Sequence, residues 1–290
     1  MVTLYLAQIV NSGLALGAVY GIMALGFSLI YNSSRLINFA QGELLLLGGL
    51  TLFSLSQAAH LGPLTALLAA GGCGYLLGRL LFATTLGLSI NASPLRQLML
   101  TVAASLCWQG VAILVWGKNP LLLPQLLPIP ELRAGPIFLS RDTATALTLA
   151  VCSVLVLSLI LGYTRIGRAI RAVSMNAVAA RLQGVNPTTC RALSFAMAGA
   201  LGALAAMAVG PQTMLRYDMG LGIGLKGFVA ATIGGYTSLW KVFFGGLALG
   251  ALEAVLVLVF SGELKETVTY ALLILLLILA PHAGGHGERS

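Results

Sequence analysis

Long apolar stretches alternate with short polar stretches along most of the chain. A helix needs about 20 apolar residues to cross about 30 Å of hydrocarbon, and stretches of this length recur from residue 4 onward. The predicted membrane helices have approximate limits of 4–31, 44–60, 62–88, 95–117, 143–163, 192–210, 223–239, 242–260 and 266–281. The pattern therefore predicts an all-α integral membrane protein: a polytopic bundle of about eight to nine transmembrane helices that forms a single domain over residues 1–290.

Composition agrees with the lipid bilayer as the environment of this chain. Hydrophobic residues make up 58% of the chain and charged residues 8%, whereas soluble domains have roughly 45–50% and about 25%. The formal net charge of +8 could indicate nucleic-acid binding. However, Lys and Arg lie between the apolar stretches and do not line one basic face. We therefore expect no nucleic-acid partner.

One polar interruption, residues 163–191, carries charge of a single sign. It contains no acidic residue and five arginines: Arg165, Arg168, Arg171, Arg181 and Arg191. Apolar residues at spacings of four, three and four would form one stripe on a helix: Ile166, Ile170, Val173 and Ala177. Gly184 and Pro187 are predicted to end this short amphipathic helix.

Charge distribution predicts the orientation. Lys and Arg of short loops are retained in the cytoplasm, so 163–191 is predicted to be a cytoplasmic loop, with the N-terminus in the periplasm and the C-terminus in the cytoplasm. Arg35, Arg96 and Lys241 then also face the cytoplasm, whereas charged residues on the other side are five basic and five acidic. The outer loop 118–142 has five prolines, which favour extended backbone over helix.

Polar residues between the first two predicted helices form a candidate pathway site. Asn38, Gln41 and Glu43, in the sequence INFAQGE, lie at the predicted inner membrane boundary. Buried polar groups need partners or water, so these side chains are candidates to line a transport pathway. The same residues also fit a plain loop in which Glu43 complements the dipole of the following helix.

The stretch 220–235, GLGIGLKGFVAATIGG, provides further pathway candidates in Gly222, Gly224 and Lys226. It is short and rich in glycine, which predicts a broken or re-entrant helix. The order of a phosphate-binding loop is not met, so we expect no nucleotide site and no cofactor. Glu253 lies inside a predicted membrane helix, where its charge must face protein or water.

Catalytic and metal-binding patterns are missing from the sequence. The four cysteines are widely spaced, and no motif of a hydrolase or a metalloprotease occurs. We therefore expect a protein that is not an enzyme and that has no metal site.

Three stretches resemble one transporter family: INFAQGELLLLGG, GRAIRAVSMNAVAARLQGVN and GLKGFVAATIGGYTSLWKVFFGGLALGALE. Together they resemble the permease subunit of branched-chain amino acid ABC importers of the LIV type, and the H subunit in particular. The resemblance extends from about residue 8 to residue 281. It implies a permease subunit of the bacterial inner membrane that moves small amino acids with ATP hydrolysed by separate subunits. Related permeases carry urea, amides or aromatic acids.

The resemblance also implies partners and contact residues. The partners would be two cytoplasmic ABC ATPase subunits, a second homologous permease, identical or different, and a periplasmic substrate-binding protein. Residues that match the ATPase-coupling segment, whose small and apolar members would enter a groove on the ATPase, are Gly167, Arg168, Arg171, Asn176, Ala179, Ala180, Leu182 and Gly184. Gln41 stands where a histidine is common, and Val178 stands where an acid is frequent.

A stand-alone channel or an ion-coupled carrier is the alternative class. A carrier is expected to place Asp, Glu or His along its pathway for coupling. Apart from Glu253, the predicted helices contain almost none of these residues. The sequence therefore favours the ABC importer.

Overall fold

The computed structural model describes residues 2–59, 61–89, 92–134, 137–259, 269–271, 274, 275 and 278. Most of them are helical. The helices are α1 (Val2–Ser34), α2 (Gln41–Ala58), α3 (Pro63–Thr84), α4 (Pro94–Trp116), α5 (Arg141–Tyr163), α6 (Arg165–Met175), α7 (Ala177–Leu182), α8 (Pro187–Val209), α9 (Met219–Ile233) and α10 (Leu239–Val259).

Six of the described helices are long and apolar enough to cross a membrane: α1, α3, α4, α5, α8 and α10. Helix α2 has 18 residues. Helix α9 has 15 residues and is about 22 Å long at 1.5 Å per residue, less than the thickness of the hydrocarbon. The prediction of a helical membrane bundle is confirmed. The last predicted helix, 266–281, lies largely outside the described residues, of which 269–271, 274, 275 and 278 are helical.

Close contacts between α1 and α10 form the centre of the bundle. Gly13, Gly17 and Gly21 of α1 recur every four residues and face Gly246 and Gly250 of α10. A Cβ atom added at either α10 glycine would meet the α1 backbone directly. Small residues permit this approach of two backbones, which supplies much of the packing between helices in a membrane.

A second close contact joins α3 to α8. Gly74 and Gly78 of α3 lie against Gly199 and Phe195 of α8, and again a Cβ atom would meet backbone atoms of the partner helix. Helix α8 also packs on α1 and α2. The largely buried helices α1 and α8 therefore hold the other helices together.

The described residues between α4 and α5, 117–134 and 137–140, contain no helix, as the prolines of the predicted loop 118–142 favour. Strands β1 (Leu132–Ala134) and β2 (Ile137–Leu139) pair as an antiparallel hairpin. Leu121 forms a β-bridge with Leu215, which precedes α9. The backbone N–H of Ser140 donates to Oδ1 of Asn11 at 2.8 Å. The loop is thereby attached to α1 and to the segment before α9.

The polar interruption 163–191 folds as two helices, whereas the sequence predicts one. The backbone leaves the helical region at Asn176, which ends α6 and begins α7. Its Oδ1 accepts the N–H groups of Val178 and Ala179, both at 3.0 Å, as expected of an asparagine N-cap. Gly184 then turns the chain with φ +82°, and Pro187 is the first residue of α8.

Candidate functional site

Helix α2 begins in the middle of the bundle, which corrects the expectation that Asn38, Gln41 and Glu43 lie at the membrane boundary. Residues 36–40 leave the end of α1 without helical structure and run back into the protein. Gln41 Nε2 then donates to the carbonyl of Ala198 at 3.2 Å. Ala198 is the twelfth of the 23 residues of α8, so the start of α2 lies level with the centre of that helix.

Glu43 is fully buried and is held from one side only. Its Oε1 accepts hydrogen bonds from Ser105 Oγ and Gln109 Nε2 of α4, both at 2.9 Å. Its Oε2 is one of three buried atoms of this segment that have no hydrogen-bond partner among the described residues; the others are Asn38 Nδ2 and Gln41 Oε1. Buried polar atoms are nearly always hydrogen-bonded, so three unpaired atoms within six residues are an unusual concentration.

The first turns of α2 and α9 meet at this point, which we call the α2–α9 junction. Gly42 is in direct contact with the carbonyl group of Gly220, and Gly224 also lies against Gly42. The Glu43 carboxylate lies beside Gly220. Helix N-termini carry partial positive charge, so the Glu43 carboxylate complements the N-terminus of α2 and the N-terminus of α9. Glu43 therefore has a structural role as well as being a pathway candidate.

The sequence predicts a broken or re-entrant helix over 220–235. The break is wrong, whereas the short length of α9 and its start beside the first turn of α2 agree with a re-entrant helix. Helix α9 is continuous, with Gly220, Gly222 and Gly224 inside it, because these glycines accommodate neighbouring groups and do not bend the chain. The interruption occurs instead at residues 36–40, before α2, where the sequence predicts only a loop.

A buried ion pair connects α9 to α10 and α1. Lys226 Nζ lies 2.8 Å from Glu253 Oε1 and donates to Tyr20 Oη at 3.2 Å. The Tyr20 hydroxyl in turn donates to Glu253 Oε2 at 2.7 Å. Glu253 thus makes the interior hydrogen bonds that a charge in a membrane helix requires.

The residues predicted to couple to an ATPase divide into buried and exposed sets. Ala180 is 5% exposed and packs with Ile170, Val173 and Cys190. Gly167 is buried against the last turn of α5. The expectation that these two small residues enter a partner's groove is therefore wrong, because they attach α6 and α7 to their own bundle. Ile166, a member of the predicted apolar stripe, is 45% exposed, whereas Ile170 and Val173 of the same stripe are buried.

Three apolar residues project outward instead, and we call them the α6–α7 surface. They are Met175, Val178 and Leu182, which are 87%, 72% and 83% exposed. The predicted coupling residues Arg168, Arg171 and Ala179 are also exposed, as are Arg181 and Gly184. Of the apolar three only Leu182 is in the predicted set. The four-residue spacing of Val178 and Leu182 on α7 was the available signal for those two, whereas Met175 lies on α6, before the break at Asn176.

Ser105 and Gln109, the partners of Glu43, were also missed by sequence reasoning. With Thr101 they recur every four residues along α4, which places them on one face of that helix. Thr101 Oγ1 accepts the backbone N–H of Phe39 at 3.3 Å. This polar stripe in an apolar helix was the signal that could have found them.

Comparison with known proteins decides the family. Residues 9–277 match the family described as the permease component of the branched-chain amino acid transport system. The chain belongs to this family. It is 30% identical to the high-affinity branched-chain amino acid transport system permease protein LivH of Salmonella typhimurium, over 96% of this chain and 94% of that protein. LivH of Escherichia coli K12 and BraD of Pseudomonas aeruginosa, described in the same words, are each 29% identical with the same coverage.

A solved structure supports the fold of this permease. PsaBC from Streptococcus pneumoniae, determined in complex with Fab, superposes with a TM-score of 0.52 over 98% of both chains, at 13% sequence identity. At this identity the likeness concerns the fold alone.

Arg35 links the segment before α2, residues 36–40, to helix α6. It follows the last residue of α1 and has a left-handed backbone, with φ +58°. Its Nη2 donates to the carbonyl of Ser174 in α6 at 2.8 Å, and its guanidinium lies over the ring of Tyr31, 5.8 Å from the centroid. The end of α1, from which residues 36–40 enter the bundle, is thus bonded directly to α6.

Replacing Lys226 by methionine should destabilise this permease by about 3 kcal/mol. Removal of one partner leaves a buried charge uncompensated, which typically costs about 3–5 kcal/mol, and the hydrogen bond from Tyr20 compensates part of it. The double variant K226M/E253L removes both charges and should recover more than half of the loss. Denaturation of the purified proteins in detergent measures the free energy of unfolding of the single variant and of the double variant. Equal losses in the single and double variants would contradict the ion-pair account.

Proposed function

We propose that this permease is the membrane-spanning subunit of an ABC importer of the bacterial inner membrane, and that it moves branched-chain or other small amino acids. Energy comes from ATP hydrolysed by two separate cytoplasmic ATPase subunits that bind the α6–α7 surface. The observation that carries this proposal is the exposure of Met175, Val178 and Leu182 on α6 and α7, two helices that also carry the exposed Arg168, Arg171 and Arg181. Contiguous exposed apolar side chains with a polar rim are typical of a protein interface.

Movement of the α6–α7 surface can reach the bundle by two routes. Gly167 packs on α5 without space for a side chain, so α6 and the end of α5 move together. Arg35 connects α6 to the segment before α2 through its bond to Ser174. A displacement of α6 by the ATPase therefore pulls on residues 36–40 and on the α2–α9 junction.

The α2–α9 junction is the proposed gate. It is closed by backbone contact between Gly42 and Gly220, whereas Asn38, Gln41 and Glu43 each keep one buried atom that has no hydrogen-bond partner in the part of the chain that the structure describes. On opening, those atoms gain hydrogen bonds to water or substrate, which offsets part of the lost packing. Gly222, Gly224 and Lys226 lie on α9, and Glu253 of α10 is paired with Lys226, so we include all four among the pathway candidates.

The complete assembly would contain this permease, a second homologous permease, identical or different, and a periplasmic substrate-binding protein. Apolar residues of α4 such as Leu106 and Leu114 are exposed and would contact lipid or the second permease. With α6 and α7 in the cytoplasm, the loop 118–142 and the N-terminus are periplasmic and the C-terminus is cytoplasmic.

Uptake by intact cells tests the substrate and the energy source together. Cells that express the complete assembly should accumulate radiolabelled leucine, and excess valine or isoleucine should compete, whereas urea, acetamide and benzoate should not. A protonophore applied while ATP is maintained should leave uptake nearly unchanged. Competition by urea, an amide or an aromatic acid would assign the permease to that substrate class. Loss of uptake with the protonophore alone would favour an ion-coupled carrier.

Cysteine labelling tests the orientation. In a permease without native cysteines, expressed without the ATPase subunits, a cysteine in place of Leu182, which is 83% exposed, should react with an impermeant maleimide only after the membrane is opened. A cysteine in place of the exposed Lys118 is the control and should react in intact cells. The reverse pattern would invert the proposed topology.

A further inference from the structure

A polar cavity of about 550 Å³ lies between the end of α1 and the bend that joins α6 to α7. It is separate from the α2–α9 junction. Its lining comes from three parts of the chain: Tyr31, Asn32, Ser33, Ser34 and Arg35; Val173, Ser174, Met175 and Ala177; and Arg191 of α8. The cavity therefore lies where the end of α1 meets α6 and α7, the parts that our proposed function expects to move relative to one another.

The charges that line this cavity are of one sign. Arg35 and Arg191 both contribute, and the described lining includes no acidic residue. Two cations that share a confined space repel each other. An anion between them would remove this repulsion.

The hydrogen-bonding groups of the two arginines are only partly used. Arg35 donates one N–H to the Ser174 carbonyl. The Nε atom of Arg191 is buried and has no partner among the described residues. A buried N–H group without an acceptor is unfavourable, and no described group of the protein accepts from this atom.

We propose that Arg35 and Arg191 form a binding site for a phosphate group. A guanidinium presents paired N–H donors that match the oxygens of phosphate or carboxylate. A carboxylate has two oxygens and matches one such fork, whereas a phosphate group has enough oxygens to accept from both arginines at once. The phosphate of an anionic lipid headgroup and free phosphate share this chemistry.

A bound phosphate would bridge α1 to α8 beneath the α6–α7 bend. It would hold the bend in the position that the Arg35–Ser174 hydrogen bond already favours. Occupancy of the cavity would therefore adjust how readily the α6–α7 surface moves relative to α1. This site is distinct from the substrate pathway.

The test uses the full-length protein in a neutral detergent with two probes applied separately. Native mass spectrometry measures binding of phosphatidylglycerol against a phosphatidylcholine reference, and thermal unfolding in increasing inorganic phosphate, against chloride at equal ionic strength, measures binding of the free ion. Arg35→Gln and Arg191→Gln should each weaken binding of the probe about tenfold, the loss expected for hydrogen bonds to a charged group. Arg181→Gln, at an exposed arginine of α7, is the matched control and should change binding less than twofold.

The two probes distinguish the source of the phosphate. Binding of phosphatidylglycerol alone identifies a lipid site, and a thermal shift with inorganic phosphate identifies a site for the free ion. If Arg35→Gln fails to fold because it also loses the hydrogen bond to Ser174, the binding measured with Arg191→Gln alone tests the phosphate site. Equal binding of the probes to wild-type protein and Arg191→Gln overturns the proposal, and so does the failure of both probes to bind the wild type.

Discussion

Replacing Gly250 by leucine is expected to reduce the yield of folded protein at least tenfold. A Cβ atom at this position would meet the backbone of Gly17 and the carbonyl oxygen of Gly13. Overpacking against side chains costs about 1–3 kcal/mol and occasionally more, and here the obstacle is backbone, which cannot rotate aside. Helices α1 and α10 would have to separate along their whole contact. Fluorescence-detected size-exclusion chromatography of solubilised membranes measures the monodisperse fraction.

The matched control is Gly71 in α3. A Cβ atom there would have no described neighbour within 4 Å, so Gly71→Leu adds the same volume to a membrane helix without a clash. This variant should retain the wild-type yield. A wild-type yield of Gly250→Leu would show that α1 and α10 do not depend on close backbone contact.

Replacing Leu182 by aspartate is expected to reduce ATP-driven uptake at least tenfold while the protein stays folded. Leu182 is 83% exposed, so a charge at this position is solvated in the isolated permease. In the complex it would be buried against the ATPase without a partner. Central residues of an interface contribute about 2 kcal/mol or more, which corresponds to roughly a thirtyfold loss of affinity. Co-purification of the ATPase subunits and leucine uptake are the measurements.

Leu88→Asp serves as the control for the coupling variant. Leu88 is also 83% exposed but lies between α3 and α4 and is not part of the α6–α7 surface. It should retain ATPase binding and uptake. If Leu182→Asp also retains both, α6 and α7 do not form the coupling contact.

The helices of the fold were predictable because each depends on local sequence. An apolar stretch of membrane length specifies a helix wherever it lies, so α1, α3, α4, α5, α8 and α10 agree with expectation. The bend at Asn176 was missed because the apolar stripe from Ile166 to Ala177 fits one uninterrupted helix equally well. A side-chain cap is worth about 1 kcal/mol, enough to begin a second helix at that residue.

The candidate site depends on contacts between distant parts of the chain, which the sequence pattern does not contain. Asn38, Gln41 and Glu43 were identified because polar residues among apolar ones are conspicuous. Their position inside the bundle follows from the contact of Gly42 with Gly220, and nothing local to either glycine specifies the other. In the same way, the burial of Ala180 follows from how α7 packs on α6 and α8, which the composition of the segment leaves open.

Reconstitution of the complete assembly tests the central claim, that this permease moves amino acids with energy from a separate ATPase. Proteoliposomes would hold the two permeases and two ATPase subunits, with the binding protein and radiolabelled leucine on one side and ATP on the other. The account predicts leucine accumulation that requires ATP, stops with a non-hydrolysable analogue and is lost with Leu182→Asp. Accumulation of leucine by this permease without ATPase subunits, driven by an ion gradient, would contradict it.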